Sequence, residues 1–467
     1  MSERWFEPFS SYHVSFGSPS PFSSCMTHTM PGSDEPSNGD IMPDLTRRSI
    51  GEGIDFLPIA NHQFKTGLLT VSLHLPLQKE AAAQNAILPQ LLARTCRAYP
   101  DMTALNEKLA QLYGARLFDN VGRLGENQVL SIGILFLDDR YALDDTSVSD
   151  QCAELLCDLL FDPALEDEKF RAADVEREKR VLTEVIQSEI VDKRTYSKNR
   201  CEQIMCEGEA YGVSRYGTVE QVAALTPAQV TKAWRDALEN AYVSVSTLGD
   251  IKSDALVKRM QEAFSRCNRK KPERPAPQIV PAHAKVKEVA EQLPVQQAKL
   301  VLGFRTSIAE PSDEVMAARV MTALFGGTPT SKLFLNVREK LSLCYYCAAR
   351  YDRQKGVLLV ESGIERPNKE KAQAEILRQL EDLKQGEFTD EELAATILSV
   401  QNSFRTVSDS QFGLGNWYES QLFDRTFQSP EEAAESAGRV TRDQVIAAAK
   451  TVTLDTVYLL EGEEAKA

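Results

Sequence analysis

The amino-acid sequence predicts an α+β fold of two homologous domains, each an antiparallel-rich mixed sheet with helices packed on it. Three observations carry this. Segments that alternate between apolar and polar residues, as half-buried strands do, are interleaved with segments of helical period. The same order of segments occurs twice at an offset of roughly 215 to 230 residues, a spacing that means duplicated domains rather than a solenoid. A proline-rich stretch, Asn268-Arg-Lys-Lys-Pro-Glu-Arg-Pro-Ala-Pro277 and on to Pro281, separates the copies; its missing N–H donors favour an extended linker.

Each copy opens on a strand, Leu69–Leu75 in the first and Lys299–Phe304 in the second. A helix is expected next, over Ala81–Ala98 and Glu314–Leu324, then shorter helical stretches at Thr103–Leu109 and Ser331–Val337. Strands return at Gln128–Leu135 and Gly356–Glu361. Two more helices follow in each copy. The runs Glu166-Asp-Glu168 and Thr389-Asp-Glu-Glu392 read as acidic caps on the second of these, since such side chains satisfy the free N–H groups of a helix start. Leu225–Val230 matches Val440–Val445, each a Thr-capped helix start that leads to a last strand, Tyr242–Ser246 or Thr456–Leu460. The expected division is a tail over 1–43, a first domain over 44–267, a linker over 268–285 and a second domain over 286–467.

The chain has 467 residues and a formal net charge of −15. That charge repels phosphate backbones and anionic lipid, so neither nucleic acid nor membrane is an expected partner. No apolar run approaches the ~20 residues of a membrane-spanning helix. Residues 1–43 are rich in Ser, Pro, Phe and Gly, lack the basic-then-apolar order of a secretory signal, and are expected to be disordered, with Met42 as an alternative start. Cysteines are scattered. Cys344-Tyr-Tyr-Cys347 reads as strand, and Cys201 and Cys206 have no second pair to complete a zinc ribbon. Reduced thiols without a signal point to the cytoplasm.

The stretch Leu324-Phe-Gly-Gly-Thr-Pro-Thr-Ser-Lys-Leu-Phe-Leu-Asn-Val-Arg-Glu-Lys-Leu-Ser-Leu-Cys-Tyr345 resembles the second-domain signature of M16-type peptidases, the insulinase and processing-peptidase family. The resemblance spans about residues 45–467, because duplicated domains are also that family's layout. It implies the LuxS/processing-peptidase-like metallohydrolase fold. From the residues alone, Gly326 and Gly327 serve a bend or a close backbone approach. A helix from near Thr330 puts Leu333, Phe334 and Val337 on one face, with Arg338 at its end. In the family the matching Arg and Tyr contact bound peptide. The resemblance therefore implies that Arg338, Tyr345, Gly326 and Gly327 bind substrate. Without it, Arg338 is a surface arginine paired with an acid, Tyr345 packs in the sheet, and the glycines form a turn.

An active member of that family needs His-x-x-Glu-His on the first helix of the first domain, two imidazoles for zinc and a carboxylate to activate the bound water. By position the motif falls in Asn85–Arg94, with Ala86 and Gln90 in place of the histidines and Pro89 in place of the glutamate. Alanine has no donor atom, an amide is a poor zinc ligand, and proline cannot act as a base. The histidines are His13, His28, His62, His74 and His283, and no two lie four apart. His74, inside a strand, reads as a satisfied or exposed side chain. Downstream, Glu176-Arg-Glu-Lys-Arg-Val-Leu-Thr-Glu184 resembles the helix of the third ligand, with Glu184 late in the pattern and Glu176 or Glu178 flanking its start. Lacking partner histidines, these read as a solvated charged face. No catalytic residue, metal or cofactor is expected. The resulting expectation is a non-catalytic subunit that binds peptide or unfolded protein between two half-shells, with a zinc-bearing M16-type chain or a second copy as partner. Beside it stand a zinc endopeptidase with unrecognised ligands and a scaffold without a peptide chamber.

Overall fold

A computed structural model describes residues 47–143, 147–272 and 277–462. The expected disordered tail over 1–43, with His13, His28 and Met42, lies outside the described residues, as does part of the linker. The first half forms β1 (Arg48–Gly51), β2 (Ile54–Ile59), β3 (Thr66–Pro76), α1 (Ala82–Ala86), α2 (Leu88–Leu92), α3 (Met102–Gln111), β4 (Arg116–Leu124) and β5 (Asn127–Leu137). It continues with α4 (Val148–Phe161), β6 (Leu165–Glu166), β7 (Lys169–Phe170), α5 (Ala172–Val191), α6 (Lys193–Met205), α7 (Val219–Ala223), α8 (Pro227–Asn240), β8 (Tyr242–Leu248) and α9 (Asp254–Ser265). The second half begins with β9 (Lys287–Gln292), β10 (Ala298–Arg305), α10 (Val315–Thr322), β11 (Cys344–Asp352) and β12 (Val357–Ile364). It closes with α11 (Lys369–Gln385), α12 (Asp390–Arg405), α13 (Gln411–Glu419), α14 (Pro430–Gly438), α15 (Arg442–Thr451) and β13 (Thr453–Glu461).

One sheet has the strand order β1-β2-β8-β3-β5-β4, the other β11-β12-β10-β13-β9. Both are antiparallel except at one matching place, where β2 runs parallel to β8 and β9 parallel to β13. Apart from β1, the two orders superpose strand for strand. The repeat in the sequence is thus a repeat of topology.

Local chemistry explains most element starts. Capping boxes open α8 at Thr226 with Gln229, α15 at Thr441 with Gln444, and α12 at Thr389 with Glu392. In each, the hydroxyl accepts one free N–H and the longer side chain another. Two expectations fail. The helix expected over Ala81–Ala98 is two short pieces, α1 and α2, because Pro89 has no N–H to donate to Asn85 and the chain then leaves helical geometry for a bridge between Cys96 and Pro163. Glu166-Asp-Glu168 caps no helix: Asp167 and Glu168, at φ 46° and 59°, turn the hairpin of β6 and β7, and α5 starts later at Ala172.

One face of each sheet packs on helices of its own half. Leu69, Val71, Ile132 and Ile134 share a core with Ile87, Leu91 and Trp234; Leu302, Phe304 and Leu358 share another with Val320 and Leu324. The remaining faces are covered by exchange. Cys201 and Met205 of α6 lie among Val301, Leu359 and Tyr458 of the second sheet. Leu414 and Tyr418 of α13 lie among Ile59, Leu68 and Leu248 of the first. Gly303 permits this approach, since a Cβ there would stand 2.7 Å from Met205 Sδ. A polar tie is added where the turns of two hairpins meet: buried Lys355, between β11 and β12, pairs with Glu126, between β4 and β5, and with Glu209 at 2.8 Å. No described helix is long and apolar enough to cross a membrane.

Candidate functional site

The corner of the first half where zinc chemistry is sought holds an ion cluster instead. Helix α2 packs against α5 and β4, which brings Arg94, just past its end, towards Glu178 on α5. Arg94 Nε lies 2.6 Å from Glu178 Oε1, and Arg177 Nε approaches the same oxygen at 3.2 Å. The reading of this acidic helix as a solvated face holds for Glu176 and Glu184, which are exposed, and is corrected for Glu178, which is 1% exposed and depends on arginine for its counter-charge. Burial outweighs both guanidiniums and raises the Glu178 carboxyl. On β4, desolvation and the like charge of Glu178 raise Asp119 to about 6 against the pull of Arg94. Gln90 Oε1 is buried without a hydrogen-bond partner.

A zinc ion does not fit these residues. Ala86 and Pro89 have no ligand atom, Gln90 offers only an amide, and the carboxylate that α5 brings to the corner is held by arginine. Among the described residues, no group of three or more His, Cys, Asp or Glu is arranged to hold a metal. His74 is tied into the fold: its Nε2 lies 3.0 Å from Glu419 Oε1 and 3.1 Å from Ser244 Oγ. His283 Nδ1 lies 2.8 Å from Asp455.

Between the halves is a cavity of about 2070 Å³, larger than the ~300–1,000 Å³ of small-molecule pockets. Asn120–Leu124 of β4 and Tyr346–Asp352 of β11 form part of its wall, and these are edge strands of the two sheets. Among the described residues, β4 pairs only with β5 and β11 only with β12. Such edges keep N–H and C=O groups free for another strand.

Arg338, Gly326 and Gly327 line this chamber; Tyr345 does not. Arg338 belongs to a helical segment, Phe334–Lys340, wound wider than an α-helix, a form that concentrates at functional sites. Its guanidinium stands 4.6 Å from the Phe334 ring centroid and 3.5 Å from Glu339. Gly326 is required by packing, since a Cβ would come 2.8 Å from Ala349 N and 2.7 Å from Leu333 Cδ1, whereas Gly327 has room for a methyl group. Tyr345 falls in a β-bulge between Cys344 and Tyr346 and is 62% exposed, its hydroxyl 3.5 Å from Glu365. The bulge hands the chamber side to Tyr346, a residue the sequence did not single out. The Tyr346 ring lies under the Arg194 guanidinium at 4.4 Å, and its buried hydroxyl has no partner. Nothing in two adjacent tyrosines marks which of them faces inward.

Two duplicated half-shells around a large chamber, with a first-half helix stripped of metal-binding side chains, define a class: non-peptidase homologues of two-domain metallopeptidases. A family profile described as "Peptidase M16 inactive domain" matches residues 224–399. The chain is 32% identical over 410 residues to the probable inactive metalloprotease YmfF of Bacillus subtilis (strain 168), covering 87% of this chain and 95% of that one. In structure it is similar to a conserved protein from Enterococcus faecalis V583, with a TM-score of 0.84 and 26% identity over 91% of this chain and 100% of that one. It also shares the fold of the peptidase M16 inactive domain from Pseudomonas fluorescens, with a TM-score of 0.70 and 16% identity over 90% and 98% of the two chains. The chain belongs to the M16 peptidase family, as an inactive homologue.

Proposed function

We propose that this chain is a non-catalytic M16 subunit that holds an extended peptide or unfolded protein segment in its chamber and works with a separate zinc-bearing M16 chain. The observation that carries the reading is the pair of open strand edges, β4 and β11, in the wall of one cavity of about 2070 Å³. An extended peptide adds to such an edge through main-chain hydrogen bonds, which tolerate many sequences, while alternate side chains fill pockets. Arg338 offers a forked donor to its carbonyls, Tyr346 turns its ring to the chamber, and Tyr345 offers a hydroxyl at the exposed end of the same strand. Cleavage then falls to the partner, because the first half lacks the side chains that bind zinc and activate water. A second copy of this chain is the other assembly the reading admits. Cytoplasmic location accords with eight free cysteines among the described residues.

The test is anisotropy titration of labelled, unstructured peptides, paired with purification from the native cell to recover a zinc-bearing chain. Saturable binding is expected, weakened about tenfold by Arg338→Ala. Folded protein that binds no peptide and retains no such chain refutes the proposal.

A further inference from the structure

Among the arginines of the chamber wall, Arg319 of α10 stands apart. Its guanidinium lies 4.4 Å from the Phe404 ring centroid and 5.6 Å from that of Trp417. Among the described residues it makes neither an ion pair nor a hydrogen bond. The carboxylates in its neighbourhood are committed elsewhere: Arg353 holds Glu310 at 3.0 Å and also pairs with Asp424, which takes a further hydrogen bond from Gln354 at 2.7 Å. Burial, with the like charge of Arg353, lowers the Arg319 pKa to about 10. Aromatic faces replace only part of the hydration a guanidinium loses, and its forked N–H groups keep their preference for a planar anion.

Two further facts bear on what that anion is. Ten Lys or Arg side chains line the chamber against six Asp or Glu, in a chain whose net charge is −15. The chamber is therefore basic where the molecule as a whole is acidic. Helix α10 and the segment Phe334–Lys340 both pack on β11, with the Arg319 charge felt at Tyr351 near one end of the strand and the Arg338 charge at Cys344 at the other. At ~3.3 Å per residue these ends are roughly 23 Å apart. A peptide strand laid along β11 meets a cation at each end.

Resting on the peptide-binding reading above, we infer that Arg319 forms a carboxylate subsite between Phe404 and Trp417. It selects peptides that carry an acidic side chain or a free C-terminal carboxylate at the Tyr351 end of β11. The carboxylate bridges the guanidinium fork by paired N–H···O bonds.

The test uses the full chain and labelled Ser- and Thr-rich peptides of nine residues, the length of β11. Each carries Glu or Gln at one end with blocked termini; a further Gln peptide has a free C-terminal carboxylate, which separates the two sources of the anion. Wild type should bind the better-placed carboxylate peptide about tenfold tighter than its Gln counterpart. Arg319→Gln should bring that ratio to about one while still binding the Gln peptide. Arg405→Gln, which removes an exposed cation outside the chamber wall, should leave the ratio unchanged. Should Arg319→Gln not fold, Arg319→Lys carries the test: a cation without a planar fork should lose about threefold of the ratio. Equal affinities in wild type overturn the subsite and leave peptide binding standing. No binding of any form overturns both. A ratio that survives loss of Arg319 places the preference elsewhere and overturns the assignment.

Discussion

Arg94→Met asks whether charge holds the corner where zinc ligands are missing. Arg94 Nε lies 2.6 Å from Glu178 Oε1; the Glu178 side chain is 1% exposed and that of Arg94 32%. Removing one partner of a buried pair costs about 3–5 kcal/mol, because the other charge is left in a poor dielectric. Two features reduce the cost here. Glu178 keeps Arg177 at 3.2 Å, and a carboxyl already raised by burial takes up a proton when one cation goes. The expected loss is about 2 kcal/mol near neutral pH. Its sign with pH follows from the raised carboxyl: the folded variant binds protons the unfolded chain does not, so stability recovers as pH falls towards about 5 and worsens as it rises. Urea unfolding of wild type and variant at both pH values measures this. Glu178→Gln should cost less than about 1 kcal/mol, since Arg94 can turn to solvent. Adding Glu178→Met to Arg94→Met should restore part of the loss. A loss below about 0.5 kcal/mol at both pH values, or equal losses for the two single variants, refutes the reasoning.

Asp119, raised from 3.8 to about 6 in the fold, costs stability at neutral pH and returns it as pH falls from about 7 to about 4. The ceiling is about 3 kcal/mol; Asp119 is crowded by its neighbours yet keeps one side open to water, whose screening reduces the expected figure to about 1 kcal/mol. Asp119→Asn should flatten that part of the urea stability profile; an unchanged slope counts against it. Glu419 behaves oppositely. Although burial opposes it, His74, Ser244 and Ser72 hold its carboxyl below 4.5, so its contribution is full above that value and is lost as pH falls through the lower folded one. Glu419→Gln should therefore lower the melting temperature at neutral pH and have little effect in strong acid, and an acid-insensitive difference would contradict the assignment. Gly326→Ala should cost about 1–3 kcal/mol by overpacking against Ala349 and Leu333, whereas Gly327→Ala stays within about 0.5 kcal/mol; similar melts for the two would count against this geometry.

The duplicated order was legible because its markers are local. A Thr three residues before a Gln, as at Thr226 and Thr441, writes a capping box directly into the chain. The signature that led to Arg338, Gly326 and Gly327 is likewise contiguous. The hidden parts are tertiary. Helix α6 reads as polar, yet Cys201 and Met205 are fully buried, and nothing in its sequence says that they are buried against the other half's sheet. Arg94 and Glu178 each look like solvated charges until α2 and α5 come together. Arg319 has no motif around it, and its aromatic partners Phe404 and Trp417 arrive from α12 and α13. The bulge that exchanges Tyr345 for Tyr346 depends on register, which adjacent tyrosines leave open.

Loss of metal ligands need not loosen this fold, because its closure rests elsewhere. A zinc ion shared by α2 and α5 would join those helices; the Arg94–Glu178 pair joins the same two segments without it. The chamber is held by the exchanged helices. Parting the halves would uncover Cys201, Met205, Leu414 and Tyr418, each at most 5% exposed. At ~1.5–3 kcal/mol for each buried side chain, that is about 6–12 kcal/mol, comparable with the whole stability of a domain. Lys355, 1% exposed and paired with Glu126 and Glu209, would add a stranded charge. Opening by separation of the halves is thus nearly as costly as unfolding. Under the peptide-binding reading proposed above, a peptide therefore enters past the chamber rim and meets β4 and β11 already in place.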